Sequence, residues 1–512
     1  MALDFIDYLA KIDPMQSYVV QRLTGGLVNI TARATRLSKS DIPVSRFANH
    51  SSFILKYAPP YVAGIGPEAP FSTFRQTIEA RALSLFLPSS NSLHHLCEET
   101  GVRIPVLLHH DQEEHVLIIS DLGPLPNLSE FFDDLASITT ATRVSKDSSA
   151  RTSSVVTPIS PAEGVMIGQK VGSFFAGLHQ RTNVEMIQRE PYHDPHLLKH
   201  DGMLDMVLEA AIRPVKEQLN LFPDLFPHDA VSMVYQCVED NFTRTSDEDE
   251  KVIALGDCWT GALLIGLGHP TGPPEVAVID WEFTCVGRGV NGDIAQLLAH
   301  LCLFEIAAAW QGRADSGATI KAIMEGLIRE YRSRSDALTQ IWLAKSNSLA
   351  PEPHSLTARL MRSAFLAHGA EIVNNAFWKD WMAQTMAIHV YGSYPPLASD
   401  IVLWVWTVGL PQQVDQHFNV ASDSSPTKTN HFHPQWDHIS SALKLNPTYS
   451  LDNLQCLCHT SPLYTQYRAG FTLQSKKQTM VYTAFTQWVE HGPKPKPGPK
   501  PRPSQPRPIP SV

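Results

Sequence analysis

Apolar residues come in short alternating runs near the start of the chain and recur at helical spacing farther along. Residues 21–33 read as strand, Gly-Gly turn, strand, with Gly25 and Gly26 at the turn. Ser52 to Ala58 alternates as a strand but carries Lys56 inside it. A helix is predicted over 72–87, with Phe74, Ile78, Ala82 and Leu85 on one stripe and Glu79 on its flank. His115 to Ser120 is a β-branched strand running into Asp121, Leu122, Gly123 and Pro124. Beyond a Ser/Thr-rich stretch, apolar spacing predicts helices over 168–182 and 294–304.

Two further apolar runs end in a carboxylate. Val252-Ile253-Ala254-Leu255 leads into Gly256-Asp257-Cys258-Trp259, and Val276-Ala277-Val278-Ile279 leads into Asp280-Trp281-Glu282, with a hairpin-like loop over 266–274 between them. Taken singly, Gly-Asp and Asp-Trp are ordinary turn dipeptides. Their order and spacing suit phosphoryl transfer, which needs one carboxylate to orient and deprotonate a hydroxyl and another to hold Mg²⁺ on phosphates. Upstream, the Gly-Gly turn can lay backbone over phosphates. Lys56 within an apolar strand needs a partner or a phosphate, or else points to water from a sheet edge. Glu79 is spaced to hold Lys56, and equally to pair with Arg75 one turn earlier.

The series Gly25-Gly26-x-x-Asn29, Phe53 to Lys56, Glu79, Ser120 to Gly123, Phe174 to His179, Gly256-Asp257-x-Trp259-x-Gly261 and Asp280-Trp281-Glu282 resembles the aminoglycoside phosphotransferase and choline kinase superfamily. The likeness runs from about residue 15 to about residue 405 and leans toward the methylthioribose kinase branch, which includes hydroxytryptamine-type kinases. The resemblance implies an α+β, two-lobed protein-kinase-like fold. An ATP-binding, β-rich N-lobe would span 1–122, and a larger, mostly helical C-lobe 123–410. It implies Asp257 as catalytic base. Gly25, Gly26, Lys56, Glu79, Asp121 and Leu122 would bind ATP, Asp280 and Glu282 would hold Mg²⁺, and a small hydroxyl compound would be the acceptor. Asp293 looks like the residue that fixes the connection after the metal site, or a plain N-cap for the following helix.

Two positions depart from the family pattern. Leu255 stands where a His is common, and Ala262 stands where a metal-binding Asn is expected. Ala262 cannot ligate a cation. Glu282 is the residue that could compensate; without compensation the chain reads instead as a nucleotide-binding pseudokinase or scaffold.

The remaining features bound the function. A hydrophobic fraction of 43% over 512 residues can bury more than one core, and a net charge of −10 argues against general nucleic-acid binding. Seven cysteines, scattered and odd in number, suggest reduced thiols, and neither a signal-peptide pattern nor an uncharged membrane-spanning run appears, so a cytoplasmic location is expected. Residues 133–163 read as a flexible insertion. Residues 411–512 lose regular patterning and end in a basic Pro-rich tail suited to an aromatic groove or acidic partner. His431, His433, His438, Cys456, Cys458 and His459 match no strong zinc spacing. His368, Trp378 and Trp381 could wall a substrate pocket or simply pack helices.

Overall fold

The computed structural model describes residues 3–23, 26–37, 46–88, 92–132, 158–187, 201–220, 228–244, 246–267, 272–335 and 355–378. Gly25, residues 133–157, Trp381, the six His and Cys residues between 431 and 459, and the extension 411–512 lie outside the described residues.

The small lobe is built on an antiparallel sheet. Helix α1 (Phe5–Ile12) is capped by Asp4, whose carboxylate accepts from the amides of Ile6 and Asp7, and it buries Phe5, Tyr8 and Leu9. Strands β1 (Tyr18–Arg22), β2 (Ile30–Arg36) and β3 (Ser52–Tyr57) follow in register, then the short β4 (Tyr61–Val62) and β5 (Gly66–Pro70). Helices α2 (Arg75–Ser84) and α3 (His94–Thr100) precede β6 (Val102–Arg103), β7 (Leu107–Asp111) and β8 (Val116–Ser120). The five-stranded order is β1-β2-β3-β8-β7. This puts the lysine strand β3 at the centre of the sheet, with Phe53, Leu55, Val116 and Ile118 buried against α1.

The large lobe is mostly helical. It contains α4 (Pro161–Leu178), α5 (Arg181–Ile187), α6 (Asp201–Val207), α7 (Arg213–Leu219), α8 (His228–Thr243), α9 (Ile294–Trp310), α10 (Ala314–Arg334) and α11 (Leu356–Trp378). Its strands are β9 (Lys251–Ala254), β10 (Leu263–Gly266), β11 (Glu275–Val278) and β12 (Cys285–Arg288). The hairpin expected over 266–274 is present as the antiparallel β10–β11 pair. The described residues thus form an α+β arrangement, a five-stranded antiparallel sheet followed by a mostly helical part with short strands.

Three helix boundaries differ from the sequence expectation. Helix α2 is shorter than 72–87, and α4 begins at Pro161 rather than at residue 168. The reason for the second is a capping box: Ser160 Oγ accepts from the Glu163 amide and Glu163 accepts from the Ser160 amide, so the end of the Ser-rich stretch starts a helix. Helix α9 runs past Phe304 to Trp310, and the stretch Gly289–Ala309 is long and apolar enough to cross a membrane, but 67% of it is buried inside the fold as a core helix. A division at residue 122 also cuts across hydrogen bonding, because β6 pairs in parallel with β11 of the large lobe.

Helices α4 and α10 approach backbone to backbone along a glycine stripe. A Cβ at Gly168 would lie 2.1 Å from the Ile323 carbonyl, one at Gly172 2.4 Å from that of Leu327, and one at Gly326 2.4 Å from that of Val165. Helix α4 packs against β9 and β11 on one side of the core, where Phe174 and Phe175 are fully buried.

Candidate active site

Strand β3 delivers Lys56 into the space between the lobes. Its Nζ donates to Glu79 Oε1 at 2.7 Å, to Asp280 Oδ1 at 3.1 Å and to Glu282 Oε2 at 3.1 Å. Lys56, Glu79 and Glu282 are all buried. Burial alone would lower the lysine pKa, but Glu282, Glu79 and Asp280 together raise it well above the usual value. Burial pushes Glu79 up, against the pull of Lys56. The sequence left Glu79 between two partners, Lys56 and Arg75; the structure gives it Lys56. Arg75 is fully buried and instead donates to the carbonyls of Ser72, Val28 and Pro59 and, through Nε, to Asn29 Oδ1 at 2.9 Å.

The three carboxylates form one cluster whose oxygens lie within 4.8 Å of one another. An oxygen-only donor set suits a hard cation such as Mg²⁺. Glu79 Oε2 is buried without a hydrogen-bond partner, an acceptor that a cation would satisfy. Asp280 and Glu282 were expected from sequence as cation ligands; Glu79 was expected to bind ATP with Lys56, not to join the cation ligands. Asp280 itself sits in the left-handed region at φ 63°, a conformation that costs an aspartate energy and turns its carboxylate back toward Lys56.

Asp257 follows β9 in a loop braced from behind. Asp293 accepts from the amides of Leu255 at 2.7 Å and Gly256 at 2.9 Å, and from His179 Nε2 at 3.1 Å. Asp293 is therefore a brace for the loop. The N-cap expectation fails, because its backbone is already helical and its side chain makes no cap bond. Gly256 has φ +87°, and a Cβ there would meet the Phe283 carbonyl at 2.1 Å. Only glycine lets the loop bend so close to the Asp280 turn. Asp257 is half-buried, its Oδ1 receives Gln296 Nε2 at 2.7 Å, and burial, then the negative charges of Glu371, Glu282 and Asp280, push it up to about 7.

The remaining expected residues divide. Gly26 is exposed at the β1–β2 turn. Asp121 does not present a free carboxylate: it takes Arg33 Nε at 2.8 Å, Ser52 Oγ at 2.8 Å and the Gly123 amide at 2.9 Å, pinning the end of β8 to β2 and β3. Leu122 is half-buried beside it. Ala262 is fully buried in the main apolar core. His368 Nδ1 bonds the Ala295 carbonyl at 3.1 Å, and burial lowers it to about 4. Arg75, Gln296 and Glu371 were missed; no local motif marks them.

No family model matches the chain. The 4-hydroxytryptamine kinase of Psilocybe cubensis is 23% identical over 272 residues, which are 52% of this chain and 63% of that protein. The protein of the same name from Psilocybe cyanescens is 22% identical over 276 residues, again 52% of this chain and 63% of the relative. These matches take in less than two thirds of either relative's length. Among solved structures, spectinomycin phosphotransferase in complex with ADP and spectinomycin matches with 10% identity and a TM-score of 0.34, covering 80% of this chain and 95% of that one.

Proposed function

We propose that this chain is an ATP-dependent kinase that phosphorylates a hydroxyl of a small molecule. The observation that carries the reading is Asp257: a carboxylate at the mouth of a braced loop, pushed up to about 7, with a three-carboxylate cation cluster and a buried lysine across the same cleft. A base of that strength is matched to a hydroxyl losing its proton near neutral pH. The acceptor oxygen attacks the γ-phosphorus, the bond from that phosphorus to the bridging oxygen of ADP breaks, and the hydroxyl proton passes to Asp257. Lys56 offsets phosphate charge, while Asp280, Glu282 and Glu79 supply the oxygens for Mg²⁺.

The relatives' name directs the first acceptor to try. A phenolic hydroxyl ionises near pH 10, closer to the raised Asp257 than an aliphatic alcohol does. The test is product formation from MgATP with 4-hydroxytryptamine, choline and aminoglycosides, comparing the natural chain with Asp257→Asn. Phosphorylated product that disappears in the variant supports the reading; an unchanged rate in Asp257→Asn overturns it.

A second reading rests on Ala262, which is buried in the apolar core and gives the cleft no ligand. Under it the chain binds nucleotide and turns none over. Isothermal titration with ATP that shows binding, beside acceptor assays that show no product, would favour this scaffold role.

A further inference from the structure

Behind Asp257 lies a polar network that no local motif announces. Gln296, in the first turn of α9, donates from Nε2 to Asp257 Oδ1 at 2.7 Å and accepts at Oε1 from the Cys258 amide at 2.9 Å. It is also hydrogen-bonded to the half-buried carboxylate of Glu371 on α11. Glu371 in turn receives His300 Nε2 at 2.9 Å and Asn375 Nδ2 at 2.5 Å.

The chemistry of these partners leaves the amide one orientation. An ionised carboxylate only accepts, so both Asp257 and Glu371 require the NH₂ end of Gln296, and the Cys258 amide requires its oxygen. All the bonding positions of the carboxamide that face protein are thereby used in one arrangement. A flipped amide would place oxygen against two carboxylates and a donor against a donor.

We propose that Gln296, locked by Glu371, is the positioning residue for Asp257. It fixes the rotamer of the base from two helices that do not belong to the catalytic loop. Position 262, where the family pattern has an amide side chain, offers none here. The inference rests on the kinase reading above and adds the group that aims its base. Asp257 is faced by Glu371 from α11 and by Asp280 and Glu282 from the loop after β11, the last two paired with Lys56, so loss of the Gln296 donor leaves the repulsion of these carboxylates less offset.

The experiment measures ATP consumption by the full chain with Mg²⁺ and 4-hydroxytryptamine, with water as the acceptor of last resort, for Gln296→Ala, Glu371→Gln and Asp257→Asn. Gln296→Ala is expected to lower kcat by about 10²-fold, the usual cost of a misplaced catalytic group, with KM for ATP nearly unchanged. The acid limb of its kcat/KM profile should move to higher pH, since a donor to the ionised form is lost. Glu371→Gln removes a neighbouring charge, so its limb should move to lower pH. A purely structural role would shift neither limb. If Asp257→Asn is inactive while Gln296→Ala keeps its rate and its profile, the positioning role fails alone. If Asp257→Asn keeps the natural rate, or the natural chain consumes no ATP, the kinase reading and this inference fail together.

Discussion

Asn29 Nδ2 donates to Glu282 Oε1 at 3.1 Å, joining the end of the glycine turn in the small lobe to the cation loop of the large lobe. The amide cannot flip, because its Oδ1 is held by Arg75 Nε. Arg75, Asn29 and Glu282 thus form a buried chain that sets the height of the β1–β2 turn above the cleft. Replacing Asn29 by Leu should raise KM for ATP about tenfold and leave the acceptor KM within about twofold, the loss of one hydrogen bond to a charged group. Steady-state kinetics with each substrate varied in turn will check it.

Lys56 is a buried positive charge that touches three carboxylates. Breaking a buried pair leaves charge uncompensated, at a cost of about 3–5 kcal/mol. Lys56→Met should therefore unfold at markedly lower temperature than the natural chain. Mg²⁺ should restore more of the lost Tm in Lys56→Met than it adds to the natural chain, because the ion would replace the missing charge. Scanning calorimetry with and without Mg²⁺ decides the point; an equal response in both would argue against a cation at this cluster.

The raised Asp257 predicts a pH signature. As a base it must be ionised, so kcat/KM should climb with unit slope as pH rises toward about 7 and level off above it. Stability runs the other way. An Asp whose folded pKa exceeds its unfolded value of about 3.9 binds a proton more tightly when folded, so its contribution falls between about pH 4 and about 7 and is wholly lost above. Asp257→Asn should accordingly gain stability over the natural chain at pH 8 and not at pH 4, measured by urea unfolding at both values.

Gly168→Ala would ordinarily favour a helix by about 0.5–1 kcal/mol. Here the added methyl would meet the Ile323 carbonyl, a backbone atom that cannot step aside without moving α10. The variant should lose about 1–3 kcal/mol by overpacking. Glycine is therefore needed in α4 at this face, and chemical denaturation of Gly168→Ala gives the sign directly.

Much of the site was legible because its parts end apolar runs. Lys56 inside an alternating strand and Asp257 and Asp280 at the ends of β-branched segments are each local signals; the structure joins Lys56 to Asp280 directly and sets Asp257 within electrostatic reach of Asp280 and Glu282. Glu79 was half legible: its place on a helix flank gave two partners, and only the burial of Arg75 against backbone carbonyls and Asn29 decides between them. Gln296 and Glu371 left no trace, because a polar residue on a helix reads as surface until its partners from distant segments are known. The start of α4 was misplaced because a Ser-rich stretch hid a capping box. Asp121 was expected at a hinge through its backbone, and the tie its carboxylate makes between three strands is visible only in the fold.

The parallel pairing of Val102-Arg103 with Val276-Ala277 has a consequence for any attempt to dissect the molecule. A fragment made of the first 122 residues would carry a strand whose partner stays behind, and the remainder would expose the apolar edge of β11. The strand β6 thus belongs to the β10–β11 sheet, while Lys56 lies in the separate five-stranded sheet.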